Sequence, residues 1–343
     1  MLSNSNEMRE KILLEPISQG ADNLRIISGY SAHTMVSWHI TEIAKRFDRA
    51  INIDLTVGMC IRDRLFRPIH EGFKSIMKNG YGDCQSKFTC KYITEGSPVH
   101  TKIYLWEKDG KPFRAFTGSA NYTQPAFFGR HREYMSECDS AVAVEYLDSL
   151  EEDSTYCTHA DIEDKIIITE KPQRLITIGT ENDHDRLSSI SVQGLGVKEV
   201  RLPLVIIRGK RKGEVHVHSG INWGQRKGRE HNQAYIPVPA DIGRTDFFPD
   251  VGIHFSVTTD DGKILILSRG QDGGKGMSTP QNNSLLGEYL RNRLGLANGA
   301  RVDKEDFERY GRTDITFYKL DDEQYFMDFS QPEVNTGNVD APL

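Results

Sequence analysis

Two short segments of the sequence carry side chains suited to phosphoryl chemistry. Val99-His100-Thr101-Lys102-Ile103-Tyr104-Leu105-Trp106 brings an imidazole and an ammonium two residues apart. Thr117-Gly118-Ser119-Ala120-Asn121-Tyr122-Thr123 does the same for a hydroxyl and an amide. Residues i and i+2 of a strand point to one face. His100 and Lys102 are therefore expected side by side, and so are Ser119 and Asn121. Gly118 lets the backbone approach the point where they meet. An imidazole can attack phosphorus as a nucleophile. Lys102 and Asn121 can neutralise the equatorial oxygens of a five-coordinate transition state. Fixed donors of this kind need no metal ion and no cofactor. Downstream, Glu133 can hold the Nδ1 proton of His100 and so aim Nε2 outward. The competing reading is an ordinary hairpin with polar residues.

The elements that must position these groups follow from periodicity. Leu24 to Tyr30 reads as a strand ending in a turn, and Ala32 to Phe47 as a helix with Met35, Trp38, Ile40 and Ile43 at helical spacing. Ile51 to Gly58 is a second strand, Ile69 to Met77 a second helix and Lys87 to Ile93 a third strand. This alternation implies βαβ units and a largely parallel sheet. The two motif segments fall on paired strands, Val99 to Trp106 and Phe113 to Thr117, turned at Asp109-Gly110. Ser140 to Tyr146, Ile166 to Ile168 and Leu175 to Ile178 read as further strands. A domain boundary is expected near 175–185.

The second half reads as all-β with one helix. Val200 to Ile207, Val215 to His218, Gly252 to Thr258, Lys263 to Leu267, Ile315 to Leu320 and Gln324 to Phe329 are strand runs. Leu285 to Leu294 is the helix, closed near Gly295. Short strands with turn signals argue for a barrel or sandwich. Between Lys198 and Arg229 stand nine Lys/Arg against two acids. Within that run Trp223, Gln225, Arg226, Arg229 and Asn232 form an arm between glycines. Arginine can fork to guanine, and glutamine or asparagine to adenine. A second polar arm, Ser268 to Asn283, carries Arg269, Gln271, Lys275 and Asn283 and misses the phosphate-loop spacing. A solvated face and an ordinary loop are the plainer alternatives. His216 and His218 share a strand face without a third ligand, so no metal site is assigned.

Composition narrows the classes further. The 343 residues suggest two domains. Acids at 49 exceed Lys+Arg at 43, for a net charge of −6. That balance excludes a uniformly basic coating protein but permits a local basic surface. No apolar run is long enough to span a membrane, and the start lacks the pattern of a secretory signal. Cys60, Cys84, Cys90, Cys138 and Cys157 are odd in number and form no CxxC pair. They read as reduced thiols of a cytoplasmic protein. The tail from Gln331 to Leu343 is expected to fray.

HTK, GSAN and the following acid resemble the phospholipase D superfamily signature: H-x-K, an acidic residue, then G-S-x-N. The sequence departs at the signature Asp. Glu107 occupies that spacing and Asp109 sits in the hairpin turn, as an inserted hairpin would leave them. Nuclease branches of the superfamily lack that Asp. The segments NWGQR…AYIPVP and RG-x-x-GGK-G…N-x-x-LG-x-YLR-x-RLGL extend the likeness over nearly the full chain. As a whole it resembles the metal-independent type II restriction endonucleases of that superfamily, of the BfiI and especially the NgoFVII type.

The resemblance implies an α/β phospholipase D-like N-terminal nuclease domain over 1–178. It also implies a C-terminal all-β B3-like pseudobarrel domain over 179–343 that reads double-stranded DNA with the two arms. Glu133 is then the histidine-orienting acid, with Glu137 as a fallback. A single motif copy implies a homodimer through the nuclease domain, with the second His100 as general acid. A companion cytosine methyltransferase belongs to such systems, and some relatives use a separate ATPase or helicase-like subunit. One alternative is a phospholipase D-type lipid hydrolase or transferase. The other is a non-cleaving DNA-binding protein with the first half as a dimerisation scaffold. The missing Asp and the basic arms weigh against the former, the intact His100/Lys102/Asn121 set against the latter.

Overall fold

The computed structural model describes residues 1–82, 85–171 and 187–332. The expected strand at Leu175 to Ile178, the boundary near 178, Cys84 and nearly all of the expected frayed tail lie outside the described residues. In the first half the strands are β1 (Asn23–Ser28), β2 (Asn52–Val57), β3 (Leu65–Phe66), β4 (Lys87–Ile93), β5 (Ile103–Lys108), β6 (Lys111–Gly118), β7 (Met135–Cys138), β8 (Ser154–Tyr156) and β9 (Ile168–Thr169). Seven of them form one sheet in the order β7-β6-β5-β1-β2-β4-β8. Only the central β1, β2 and β4 run parallel; the flanking strands are antiparallel. β9 pairs with β3 in a separate ribbon.

Three helices matter for this sheet: α1 (His33–Phe47), α2 (Arg67–Asn79) and α3 (Ser140–Asp148). Leu24 and Ile26 of β1 face the core that Met35, Val36, Ile40, Ile43 and Phe73 of α1 and α2 complete. Ile27, one residue on, faces the opposite side, where Ala143 and Leu147 of α3 cover it. The pleat therefore sorts neighbouring residues between two helical layers. Burial of the large apolar side chains among them, Leu24, Ile26, Ile27, Met35, Val36, Ile40, Ile43 and Phe73, stabilises the fold by roughly 1.5–3 kcal/mol each relative to exposure. The run at Ser140 to Tyr146, expected as a strand, is helical. The Asp139 side chain caps it, accepting from the N–H groups of Ala141 at 2.8 Å and Val142 at 3.3 Å.

The second half contains β10 (Glu199–Pro203), β11 (Ile236–Pro237), β12 (His254–Thr259), β13 (Ile264–Gly270), β14 (Gly276–Ser278), β15 (Asp314–Lys319) and β16 (Gln324–Asp328). They form one sheet in the order β10-β15-β16-β12-β13-β14-β11. Its two edge strands approach each other, so the sheet curls into a nearly closed barrel. Phe255, Val257, Phe317, Tyr325 and Met327 fill the interior with Leu286 and Leu290 of helix α4 (Ser284–Arg293). A further helix, α5 (Lys304–Tyr310), went unread in the sequence, although Asp303 and Asp306 form its capping box. Val215 to His218 is not a strand. Side chains take its carbonyls instead: Asn222 donates to that of His216 at 3.1 Å and Arg226 to that of His218 at 2.7 Å.

The two halves meet along a polar seam. The Gln124 side chain donates to the His254 carbonyl at 2.6 Å and accepts from the His254 N–H at 3.0 Å. Gln124 and Thr34 both donate to Glu323 Oε1, at 2.7 and 3.0 Å. Among the described residues Cys60, Cys90, Cys138 and Cys157 are free thiols, and no helix is long and apolar enough to cross a membrane.

Candidate functional site

β1 and β2 end where β5 begins and β6 ends, because β5 runs antiparallel to β1 and β6 antiparallel to β5. The motif residues gather at this edge, beyond the carboxyl ends of the parallel strands, where open α/β sheets place their ligands. They do not lie on the hairpin strands as expected. His100 and Lys102 precede β5, and Ser119 and Asn121 follow β6. The segment is seated by backbone contact. Val99 N–H donates to the Gly58 carbonyl at 2.9 Å. A Cβ at Gly58 would lie 2.0 Å from the Val99 carbonyl oxygen, so only glycine permits this approach. Gly118 is equally tight, against the Tyr134 carbonyl.

The His100 side chain faces solvent, while Lys102 is buried at 4% exposure. Lys102 Nζ stands 3.1 Å from His100 Nδ1, 3.0 Å from Nε2 and donates to the His100 carbonyl at 2.6 Å. Burial pushes the Lys102 ammonium below the usual lysine range, and the Glu133 carboxylate opposes that shift. Asn121 Oδ1 accepts from the Tyr30 N–H at 3.1 Å. That contact assigns the amide oxygen inward and leaves Nδ2 as a donor. Ser119 Oγ donates to Glu133 and accepts from the Tyr134 N–H at 3.0 Å. Glu133 also lies 3.7 Å from His131 Nδ1. Among the described residues no hydrogen bond joins Glu133 to His100, in place of the orienting contact expected. Glu137, the fallback acid, pairs with Arg114 at 2.8 Å. Glu107 receives the Asn23 amide at 2.5 Å and lies 3.8 Å from Arg25, at the far end of β5. Asp109 makes the hairpin turn with Gly110, at φ 53° and 70°. Gly29, Tyr30 and Asp63, which border this edge, were not singled out in the sequence.

In the second half the first arm opens as a short helical turn, Gly220–Gln225. The Arg229 guanidinium stacks 3.8 Å from the centre of the Trp223 ring, and Arg226 and Arg229 are exposed. Gln225 and Asn232 are engaged elsewhere. Gln225 donates to the Gly299 carbonyl at 3.0 Å, and Asn232 Oδ1 accepts the Gly299 N–H at 2.7 Å. In the second arm Gln271 and Lys275 are exposed and border a concave surface with Arg208, His216 and Tyr235. Arg269 departs from expectation. It is 6% exposed, with its guanidinium on the carbonyls of Gly243 at 2.8 Å, Pro249 at 3.2 Å and Gly274 at 3.4 Å. An arginine so held shapes the loop. Asn283 is half-buried at the start of α4, where its carbonyl accepts the Ala234 N–H at 3.1 Å.

Residues 6–164 match the family model of the NgoFVII restriction endonuclease N-terminal PLD domain. Residues 197–321 match that of the NgoFVII C-terminal B3-like DNA-binding domain. No curated protein matches the chain. Among solved structures the chain is similar to NucT from Helicobacter pylori, with 14% identity and a TM-score of 0.30 over 44% of this chain and 92% of that one. It is also similar to polyphosphate kinase from Porphyromonas gingivalis, with 14% identity and a TM-score of 0.28 over 46% of this chain and 24% of that one. The two family models follow one another over most of the sequence: the chain belongs to the NgoFVII restriction endonuclease family, a DNA nuclease that joins a phospholipase D-like domain to a B3-like DNA-binding domain.

Proposed function

We propose that the protein is a metal-independent type II restriction endonuclease that cleaves through a phosphohistidine at a site built from two subunits. The convergence of His100, Lys102 and Asn121 at one sheet edge carries this reading. A ring nitrogen of His100 attacks the scissile phosphorus, the N–P bond forms and the P–O3′ bond breaks. Lys102 and the Asn121 amide donate to the non-bridging oxygens as charge accumulates there. The 3′ oxygen takes its proton from His100 of a second copy, on the far side of phosphorus. Water then attacks, giving its proton back to that second His100, and the N–P bond breaks. The products carry 5′-phosphate and 3′-hydroxyl ends. Ser119 and Glu133 support the edge, their mutual bond standing beside Lys102.

The recognition reading rests on exposure: Arg226, Arg229, Gln271 and Lys275 face outward on the two arms, with Arg229 stacked on the half-buried Trp223 ring. Asn283 stands at the end of the second arm, while Gln225, Asn232 and Arg269 hold the arms in shape. The nuclease domain is assigned to 1–178 and the reader to 179–343. The protein acts in the cytoplasm beside a cytosine methyltransferase that protects host sites, and a separate ATPase or helicase-like subunit is a further partner to seek by co-purification.

A plasmid digest in excess EDTA, wild type beside His100→Ala, tests the catalytic reading. Discrete bands with 5′-phosphate ends from wild type, and none from the variant, are expected. Cleavage by His100→Ala would overturn the nucleophile assignment. Specific binding without cleavage by wild type would favour the non-cleaving alternative.

A further inference from the structure

Tyr30 lies just beyond the end of β1, and every polar group of the residue is engaged. Its N–H donates to Asn121 Oδ1 at 3.1 Å, and its carbonyl accepts from Ser28 Oγ at 2.7 Å. Its hydroxyl donates to Asp63 on the loop after β2. The bond to Asp63, with burial and the carboxylate charge adding to it, pushes the phenol up to about 12. It stays a donor across the neutral range. The residue nonetheless remains 43% exposed, and its ring stands edge-on to the His100 imidazole, with centres 6.0 Å apart and planes at 77°. The tied hydroxyl fixes where this exposed ring stands beside His100. Gly29 packs close under the imidazole, since a Cβ there would lie 3.0 Å from His100 Cδ2.

We propose that Tyr30 is a positioning residue for the cleavage step, walling the His100 ring with its own ring and fixing the Asn121 amide with its backbone N–H, its hydroxyl tethered by Asp63. The inference rests on the reading of His100 as nucleophile. An exposed imidazole has two torsions to fix, Lys102 reaches both of its ring nitrogens and so does not select one, and attack in line with the leaving oxygen needs one orientation. A fixed ring beside it removes the unproductive rotamers before DNA arrives. The same residue sets which end of the Asn121 amide points to the phosphate. The tether is local: Asp63 is itself fixed by its N–H bond to the Met59 carbonyl at 2.8 Å. Sequence reasoning passed over the pair because Tyr30 and Asp63 come from different loops and match no motif spacing.

The test is steady-state cleavage of a short duplex by the full-length protein, with kcat and KM separated. Tyr30→Ala is expected to lower kcat about tenfold and leave KM within about twofold, because orientation rather than affinity is lost. Tyr30→Phe keeps the wall but frees it, for a loss of about threefold, and Asp63→Ala should match it. Asp63→Asn retains an acceptor and should restore near wild-type kcat. The double variant Tyr30→Phe/Asp63→Ala should be no slower than either single, since both cut one tether. Melting temperatures of the set check that each variant is folded. Wild-type kcat in Tyr30→Ala, or a raised KM with kcat unchanged, would overturn the inference. Cleavage by His100→Ala in the same assay would instead overturn the nucleophile reading beneath it.

Discussion

Burial holds the Lys102 ammonium below the ordinary lysine range, and Glu133 limits the shift. In the proposed mechanism the charged form donates to the phosphate, so cleavage is expected to fall on the alkaline side at a lower pH than an unshifted lysine would give. Lys102→Arg, which stays charged, should remove the lysine's share of that fall in a pH–rate profile, leaving the share of the second His100 as general acid, while lowering the plateau. Lys102→Met should lose about a hundredfold or more in single-turnover rate, as removal of a transition-state donor does. Its DNA affinity should change little, as gel shift can check. His100, Lys102 and Asn121 were legible in sequence because two-residue spacing is local. Tyr30 was not, because it reaches His100 through the register of β1 and β5, which no spacing encodes. Arg269 was misread for a related reason. Composition marks an arginine in a polar loop, but only the fold shows three carbonyls waiting for it.

The strands that seat the motif carry the next requirement. Gly58 follows β2 and touches Val99 so closely that an added methyl would lie 2.0 Å from its carbonyl oxygen. Backbone cannot yield there without moving His100. Gly58→Ala is expected to destabilise the fold by roughly 1–3 kcal/mol, the usual range for overpacking. It should reduce cleavage further than that loss of folded protein explains. Denaturant melts paired with single-turnover rates separate the two effects. Elements with a clear period, such as α1, β2 and the β12–β13 hairpin, were readable from the chain. The helix at Ser140–Asp148 was not, because Ala-Val-Ala-Val alternates like a strand while Asp139, a cap, sits just outside the run. The Val215 to His218 alternation misled in the opposite sense, since the His216 and His218 carbonyls bond to side chains and, among the described residues, no strand pairs with it.

At the scale of the molecule the two halves are joined through a buried polar seam beside the loop that carries Ser119 and Asn121. Gln124, three residues after Asn121 in the sequence, is locked to His254 and Glu323. Enclosure between the halves raises the Glu323 carboxyl from 4.5 to about 7, with Asp321 adding to the rise and the Gln124 and Thr34 bonds opposing it. Between those pH values the folded protein keeps a proton that the unfolded chain has lost. Stability should therefore fall as pH rises through that window and level off above it. Glu323→Gln, which keeps an acceptor but cannot ionise, should flatten that slope in melting curves taken from pH 4.5 to 8. An equal slope in the variant would assign the dependence to other groups. This seam was invisible in the sequence, where Gln124 and Glu323 stand far apart in different domains. The order of the two domains was legible, because each carries its own motif.

The proposed double displacement at phosphorus through His100 is tested most directly by the stereochemical course of cleavage. A duplex with one chiral phosphorothioate at the scissile position, cut in isotopically labelled water, reports the configuration of the 5′-product. Two in-line steps predict retention. Inversion would mean that water attacks directly, and would contradict the phosphohistidine.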